Sequence, residues 1–328
     1  MERNVSTSEK SGNFLLSVVV PVYNEQEVLL EFYDRLTNVL SNINTENWEI
    51  VFVNDGSTDH SLDILISLKR KNQRIAIVDL SRNFGKEIAL TAGLDYASGD
   101  AVVVIDADLQ DPPELIPEFV AAWLEGYDVV YGKRLKREGE TFMKKLTAFL
   151  FYRVLQRASS VKIPEDTGDF RLLSRRAVDA LRELREHHRF MKGLFAWIGF
   201  PQKSILYKRD PRFAGSTKWN YWRLWNLAIE GITSFTIGPL KIATYLGLTA
   251  AALSFVYGSY IIIRTLLYGR DVPGYPSLVV IILFLGGIQL IALGVIGEYL
   301  GRVFNETKNR PLYLVNQFLP SKKCIPEK

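Results

Sequence analysis

Short apolar runs punctuate the first third of the chain. Ser17–Val20, Glu49–Val53, Ile75–Leu80 and Ala101–Ile105 are each brief, apolar and closed off by polar or turn-forming residues. Runs of this kind suit buried parallel strands. Between the first two, Val28, Leu29, Phe32, Leu36, Val39 and Leu40 recur at helical spacing. They predict an amphipathic helix, with Asn24 placed to cap it and Glu27 completing a capping box. A second helix is expected from near Asp59, carrying Leu62, Leu65, Ile66 and Leu68, and a third over roughly Lys86–Ala97. Strand–helix alternation predicts a doubly wound, mainly parallel α/β sheet with right-handed crossovers.

The pattern then changes. From Ile242 to Ile263 there are 22 residues without a formal charge, and a second charge-free stretch runs from Val272 to Gly297. About 20 helical residues cross a hydrocarbon core. The apolar character goes all round each helix, which a soluble amphipathic helix avoids. A transmembrane hairpin is expected, with spans of about 242–264 and 276–298. Lys241, Arg302, Lys308 and Arg310 flank it, against Arg264 and Arg270 in the connecting turn, which favours cytosolic N- and C-termini. The expected organisation is a polar tail at 1–14, a cytosolic α/β domain with interface helices at 15–240, the hairpin at 241–300 and a cytosolic tail at 301–328.

Composition narrows the chemistry. A single cysteine, Cys324, excludes an internal disulfide framework and any multi-cysteine metal site, and three histidines make a histidine zinc centre a poor expectation. A net charge of +4 gives no reason to expect a nucleic-acid partner. Neither G-x-G-x-x-G nor G-x-x-x-x-G-K-[ST] occurs, so dinucleotide and P-loop readings lose their main support.

In doubly wound sheets ligands bind beyond the carboxyl ends of the strands. Polar stretches stand there after three strands: Pro21 to Glu25, Asn54 to Asp59, and Asp106 to Gln110. Asp106 and Asp108 fall on one side of an extended chain, and two carboxylates so placed repel unless a cation lies between them. Mg²⁺ or Mn²⁺ suits such oxygen ligands, and Gln110 could add an amide oxygen. The same residues also fit a solvated, Asp-rich turn. Asp55 could accept hydrogen bonds from a base or ribose, while Asp59 better fits a helix cap. Ser81 to Lys86 offers cations and backbone amides at a helix start, a phosphate neighbourhood or a solvated basic loop. Asp169 could orient an acceptor or stabilise positive charge, or be a structural partner of Arg171 or Arg175. Arg189 and Lys192 could hold a lid segment or phosphates, or lie on a solvated face. Phe142, Leu146, Phe149, Leu150 and Val154 share a helical face ringed by cations, and Trp219, Trp222 and Trp225 precede the first span. Both segments read as interface elements on a bilayer surface or as ordinary core.

Val18 to Glu25, Asn54 to Asp59, Asp106 to Pro113, Gly168 to Leu172, Arg189 to Gly193, Arg212 to Trp219 and Gly294 to Arg302 together resemble the inverting family 2 glycosyltransferases with a GT-A fold. The subgroup resembles the polyprenyl-phosphate glycosyltransferases: dolichol-phosphate mannose synthase and, more closely, the bacterial bactoprenol glucosyltransferases. The Q-x-x-R-W motif of processive members is missing. The resemblance implies that Pro21, Tyr23, Glu25 and Asp55, with Lys86, Asp106 and Ala107, hold the nucleotide sugar. It implies that Asp106, Asp108 and Gln110 meet Mg²⁺ or Mn²⁺ and the diphosphate, with Asp108 and Asp169 catalytic. Arg134 and one of Lys144 and Lys145, together with Arg212 and Lys218, are implied near the acceptor phosphate. The implied reaction moves a sugar, UDP-glucose first among donors, to undecaprenyl phosphate in a bacterial inner membrane. UDP-linked modified arabinose, UDP-GlcNAc and GDP-mannose remain alternative donors, and a non-catalytic membrane scaffold an alternative role. A homotetramer is implied by the resemblance alone.

Overall fold

The computed structural model describes residues 14–43, 45, 47–135, 167–187, 189, 191–208, 238–269 and 274–322. These residues form two compact units. The first is built on an eight-stranded sheet. Its elements in chain order are β1 (Leu15–Val22), α1 (Leu29–Ser41), β2 (Asn47–Asn54), α2 (Ser61–Lys71), β3 (Ile75–Leu80), α3 (Lys86–Tyr96), β4 (Ala101–Val104), α4 (Ile116–Leu124), β5 (Val129–Arg134), β6 (Thr167–Ser174), α5 (Arg175–Glu183), α6 (Met191–Trp197) and β7 (Gln202–Tyr207). The second unit contains α7 (Gly238–Tyr268) and α8 (Tyr275–Thr307), after which the chain returns to the first unit as β8 (Val315–Leu319).

The four strands read from the apolar runs are all present, and the expected α/β sheet forms. Its order is β7-β5-β6-β4-β1-β2-β3-β8. β1 pairs in parallel with both β2 and β4, so the strand order reverses at β1 and opens a crevice between the carboxyl ends of β1 and β4. β3 and β4 are buried along their full length and β2 from Trp48 onward, as a sheet covered by helices on both faces requires. Phe32, Leu36 and Leu40 of α1 and Phe119 of α4 are fully buried in the same apolar cluster as Val18, Val20, Phe52 and Val103.

Three features depart from the sequence reading. α1 begins at Leu29 with no side-chain cap. Asn24 is instead in the left-handed region (φ 54°), and its Oδ1 accepts from the Thr58 backbone N–H at 2.8 Å. Through Asn24 and Gln26 the polar loop is stitched to the loop after β2, and it is the Glu25 backbone carbonyl, not the Asn24 side chain, that accepts from the Val28 and Leu29 N–H groups at the helix start. β5 to β7 make the sheet more mixed than the alternation suggested, since β6 runs antiparallel to both β4 and β5. Residues 301–328, expected as a tail, include β8, which pairs antiparallel with β3. Asn316 donates to Asp79 at 2.7 Å, Ser321 to Glu49 at 2.6 Å and Tyr313 to Asp95 at 2.8 Å, while Phe318 packs on the Tyr96 ring and Leu319 against the core, so polar and apolar side chains together bind this segment.

In the second unit, Leu240–Tyr268 and Leu278–Thr307 are long and apolar enough to cross a membrane, each holding an 18-residue stretch with a mean hydropathy of 1.8 and 2.8 respectively. Their large apolar side chains, such as Phe255, Leu266, Leu283 and Leu290, are exposed.

Candidate active site

Sheet register explains which residues meet. β4 and β6 are antiparallel with Val104 opposite Arg171. Continuing that register two residues sets Asp106 across from Asp169. β5 and β7 are parallel, with Arg134 opposite Tyr207. The carboxyl ends of β4, β5 and β7 and the amino end of β6 therefore share one edge of the sheet.

Lys86, the first residue of α3, places its Nζ 2.6 Å from Asp106 Oδ2 and 2.6 Å from Asp169 Oδ2. Burial alone would push the Asp169 carboxyl up, but Lys86, Lys192 and Arg171 together hold it far below the usual carboxylate range. It is ionised at any physiological pH. The Asp106 carboxyl is raised by burial, with Lys86 opposing and Asp169 and Asp108 adding to the rise. Lys86, whose side chain is 44% exposed, is held protonated by its two carboxylates. The other Asp169 oxygen, Oδ1, is buried without a hydrogen-bond partner among the described residues.

Arg171 lies behind Asp169. It donates to the backbone carbonyls of Gly168 (2.8 Å) and Asp169 (3.3 Å) and packs 3.7 Å from the centre of the Phe195 ring. Arg175 donates to the carbonyls of Ala97 and Gly99. Neither hydrogen-bonds the Asp169 carboxylate, so its direct ion pair is with Lys86. Of the two cations in the Arg189–Gly193 stretch, Lys192 joins the charge cluster, its ammonium pK lowered by burial. Arg189 donates to the Leu184 carbonyl.

On the other side of the crevice, Asp55 is buried, and its two oxygens accept from the backbone N–H groups of Phe84 (2.7 Å) and Gly85 (3.0 Å). Those contacts fix the loop that delivers Lys86. Burial raises the Asp55 carboxyl, with the two amides pulling the other way. Tyr23, 44% exposed, presents a ring at the end of β1. Asp108 accepts from the Gln110 backbone N–H at 3.1 Å, and the intervening Leu109 is buried in the left-handed region (φ 58°). A non-glycine residue in that conformation is strained by roughly 1–2 kcal/mol, and burial of its side chain holds it there.

Among the described residues, no group of three or more His, Cys, Asp or Glu gathers as a metal cage. The donors at this edge are hard oxygens, Asp106 and Asp108 with Gln110 beside them. That set fits an ion such as Mg²⁺, which takes one or two carboxylates and completes its shell with water and substrate phosphates. Lys144, Lys145, Arg212 and Lys218, and the two interface segments, lie outside the described residues. Sequence reasoning missed Glu87, Asp111 and Tyr207. Glu87 adjoins Lys86 and Asp111 lies in the same loop as Asp106, while Tyr207 reaches the edge through the pairing of β7 with β5, which no local motif reports.

Residues 17–182 match the family described as glycosyl transferase family 2, and residues 238–303 match the GtrB C-terminal hairpin. The uncharacterized glycosyltransferase sll0501 of Synechocystis sp. is 56% identical over 313 residues, covering 94% of this chain and 98% of that protein. The SfII prophage-derived bactoprenol glucosyl transferase of Shigella flexneri is 48% identical over 302 residues, 92% of this chain and 97% of that protein. Among solved structures, glucosyl-3-phosphoglycerate synthase from Mycobacterium tuberculosis, in complex with Mn²⁺, UDP-glucose and phosphoglyceric acid, is similar at a TM-score of 0.43 and 19% identity, over 67% of this chain and 78% of that one.

Proposed function

The chain belongs to glycosyl transferase family 2, with the mixed sheet of the GT-A fold, and from that premise we propose that it transfers glucose from UDP-glucose to the phosphate of a membrane polyprenyl phosphate, inverting the anomeric centre. One observation carries the reading: Asp106, Asp169 and Lys86 converge at the switch-point edge, in a chain that also holds two membrane-length apolar helices. The bactoprenol glucosyl transferase name of a relative 48% identical supports the lipid acceptor.

The acceptor is a phosphate monoester whose second pKa is about 6, so its oxygen is already a nucleophile at neutral pH. No strong base is required, and Asp169, held ionised by Lys86, is a poor one. Its carboxylate instead orients the reactants and stabilises positive charge growing at the anomeric carbon. The phosphate oxygen attacks that carbon in line as the bond to the UDP oxygen breaks, turning an α-linked donor into a β-linked lipid phosphate. Arg134 lowers the repulsion between two anionic substrates. Asp106 and Asp108, with Gln110 beside them, would hold Mg²⁺ or Mn²⁺, which when bound offsets charge on the departing diphosphate. Pro21, Tyr23, Glu25 and Asp55 frame the nucleotide. α7 and α8 anchor the enzyme in a bacterial plasma membrane, with the catalytic residues on the cytosolic side.

The test is a panel of UDP-glucose, UDP-GlcNAc, a UDP-linked modified arabinose and GDP-mannose, each incubated with undecaprenyl phosphate, Mg²⁺ or Mn²⁺ and detergent-solubilised protein. Turnover should be fastest with UDP-glucose, give a β-linked product by NMR, and fall about 10²-fold in Asp108→Ala. Wild-type activity in Asp108→Ala removes the assigned role of that carboxylate.

A further inference from the structure

Tyr207 ends β7, the outermost strand on one side of the sheet, yet it is only 4% exposed. Its hydroxyl donates to Asp111 Oδ1 and accepts from Arg134 Nε at 3.3 Å. Arg134 NH2 lies 3.8 Å from the same Asp111 oxygen. Asp111 is 1% exposed and closes the loop that starts at Asp106 and turns through the strained Leu109. The three side chains come from β5, β7 and the loop after β4, and burial keeps them together.

Two glycines make room for this arrangement. A Cβ on Gly168 would lie 2.7 Å from Arg134 NH2, so the guanidinium rests directly on the backbone beside Asp169. A Cβ on Gly132 would lie 2.8 Å from the Tyr207 ring. Arginine carries about 2 kcal/mol of rotamer entropy, so a guanidinium aligned in advance binds an anion at lower entropic cost. Fixing it through Nε preserves its capacity to take a phosphate through its planar fork.

We propose that Asp111 and Tyr207 are positioning residues that hold the Arg134 guanidinium in register with the Asp106–Asp108 loop, so that acceptor-phosphate recognition depends on the geometry of the donor-side loop. The inference deepens the proposed function and rests on it, because Arg134 needs an acceptor phosphate to hold. It assigns a purpose to Asp111, Tyr207, Gly132 and Gly168 together.

The experiment is steady-state kinetics of the full-length, detergent-solubilised enzyme with UDP-glucose, undecaprenyl phosphate and Mn²⁺. Tyr207→Phe keeps the ring and removes the hydroxyl. Both of its hydrogen bonds go, and the long one that holds Arg134, at ordinary strength, predicts a rise of about fivefold in KM for the lipid, with KM for UDP-glucose within twofold of wild type. On an Arg134→Ala background the same change should add less than twofold, since the hydroxyl acts through that arginine. Gly168→Ala, which leaves the Tyr207–Asp111 contact intact, should also raise the lipid KM selectively. Equal rises in both KM values, or multiplicative effects in the double variant, would overturn the relay and leave a merely structural tyrosine. Wild-type turnover with Tyr207→Phe indistinguishable from it overturns the relay and spares the proposed function. Absence of lipid turnover in the wild type overturns both.

Discussion

The two sides of β4 are built differently, although both feed the same edge. On the side of β1 to β3, chain order and spatial order agree. Each strand runs parallel to its neighbour, and each polar stretch follows its strand directly. The contacts there join successive loops: Asn24 to Thr58, and Asp55 to Phe84 and Gly85. On the side of β5 to β7, β6 runs antiparallel to both of its neighbours while β5 and β7 are parallel, and the residues brought together are remote in sequence, as in Asp106 and Asp169 on Lys86 and Arg134 with Tyr207. Lys86 reaches from the first side to the second. The parallel side suits a nucleotide, for which backbone amides and turn residues suffice. The mixed side gathers opposite charges, which suits two anions that must be brought together.

The largest expected effect lies at the junction. Asp169→Asn keeps the shape and removes the charge, leaving Lys86 with Asp106 alone. Loss of a buried, charge-assisted partner at the reacting centre should cost about 10²–10³ in kcat. Product formation measured at saturating donor and lipid decides it. A variant with near wild-type kcat would reduce Asp169 to a structural ion pair and dissolve the distinction between the two sides.

A smaller effect separates the sides directly. Arg134→Ala removes a charged donor, and hydrogen bonds to charged groups contribute about 1.5–3 kcal/mol, so the lipid KM should rise by roughly 10- to 100-fold with little change for the donor. Asp55→Asn should do the reverse, because it loosens the loop through Phe84 and Gly85 that frames the nucleotide. Titrating each substrate against both variants is the measurement. If the two defects exchange substrates, the assignment of donor and acceptor sides is inverted.

This contrast also explains what could be read from the chain before its fold was known. Apolar runs bounded by turn residues gave β1 to β4, and charge-free length gave both long helices, because each signal is local. The Asp106–Asp108 pair and Asp55 were visible for the same reason: they follow strands that announce themselves. Asn24 was misassigned as a helix cap because the same short polar side chain serves a loop-to-loop bridge equally well, and only the neighbouring loop decides. Asp111 lies within the Asp106 to Pro113 stretch but nothing there gives it a role of its own, and Tyr207 carries no local signal. Asp111 looks like one more acidic turn residue, and Tyr207 like an ordinary alternation within a strand. β8 makes no apolar run, because its attachment mixes the hydrogen bonds of Asn316, Ser321 and Tyr313 with apolar contacts from Phe318 and Leu319.

The smallest expected effect concerns stability rather than turnover, and it probes how the charge cluster is balanced. Glu87 follows Lys86, and its Oε2 is buried without a partner among the described residues. Burial first, and then the negative Asp169, push its carboxyl up to about 7, with Lys86, Lys192 and the Met191 backbone amide opposing. The folded protein therefore keeps a proton that the unfolded chain, with an ordinary glutamate value of 4.5, gives up between those two values. The unfolded state binds fewer protons in that window, so this group's contribution to stability is complete below about pH 4.5 and declines as pH rises to about 7. Glu87→Gln imitates the protonated form at every pH. It should match the wild type near pH 4.5 and be more stable at pH 8, by at most on the order of 3 kcal/mol. Thermal unfolding in detergent across that range measures the difference. A stability gap that does not widen with pH would mean that the cations at this edge already neutralise Glu87, and that the mixed side carries no excess of buried negative charge for Lys86 and Lys192 to offset.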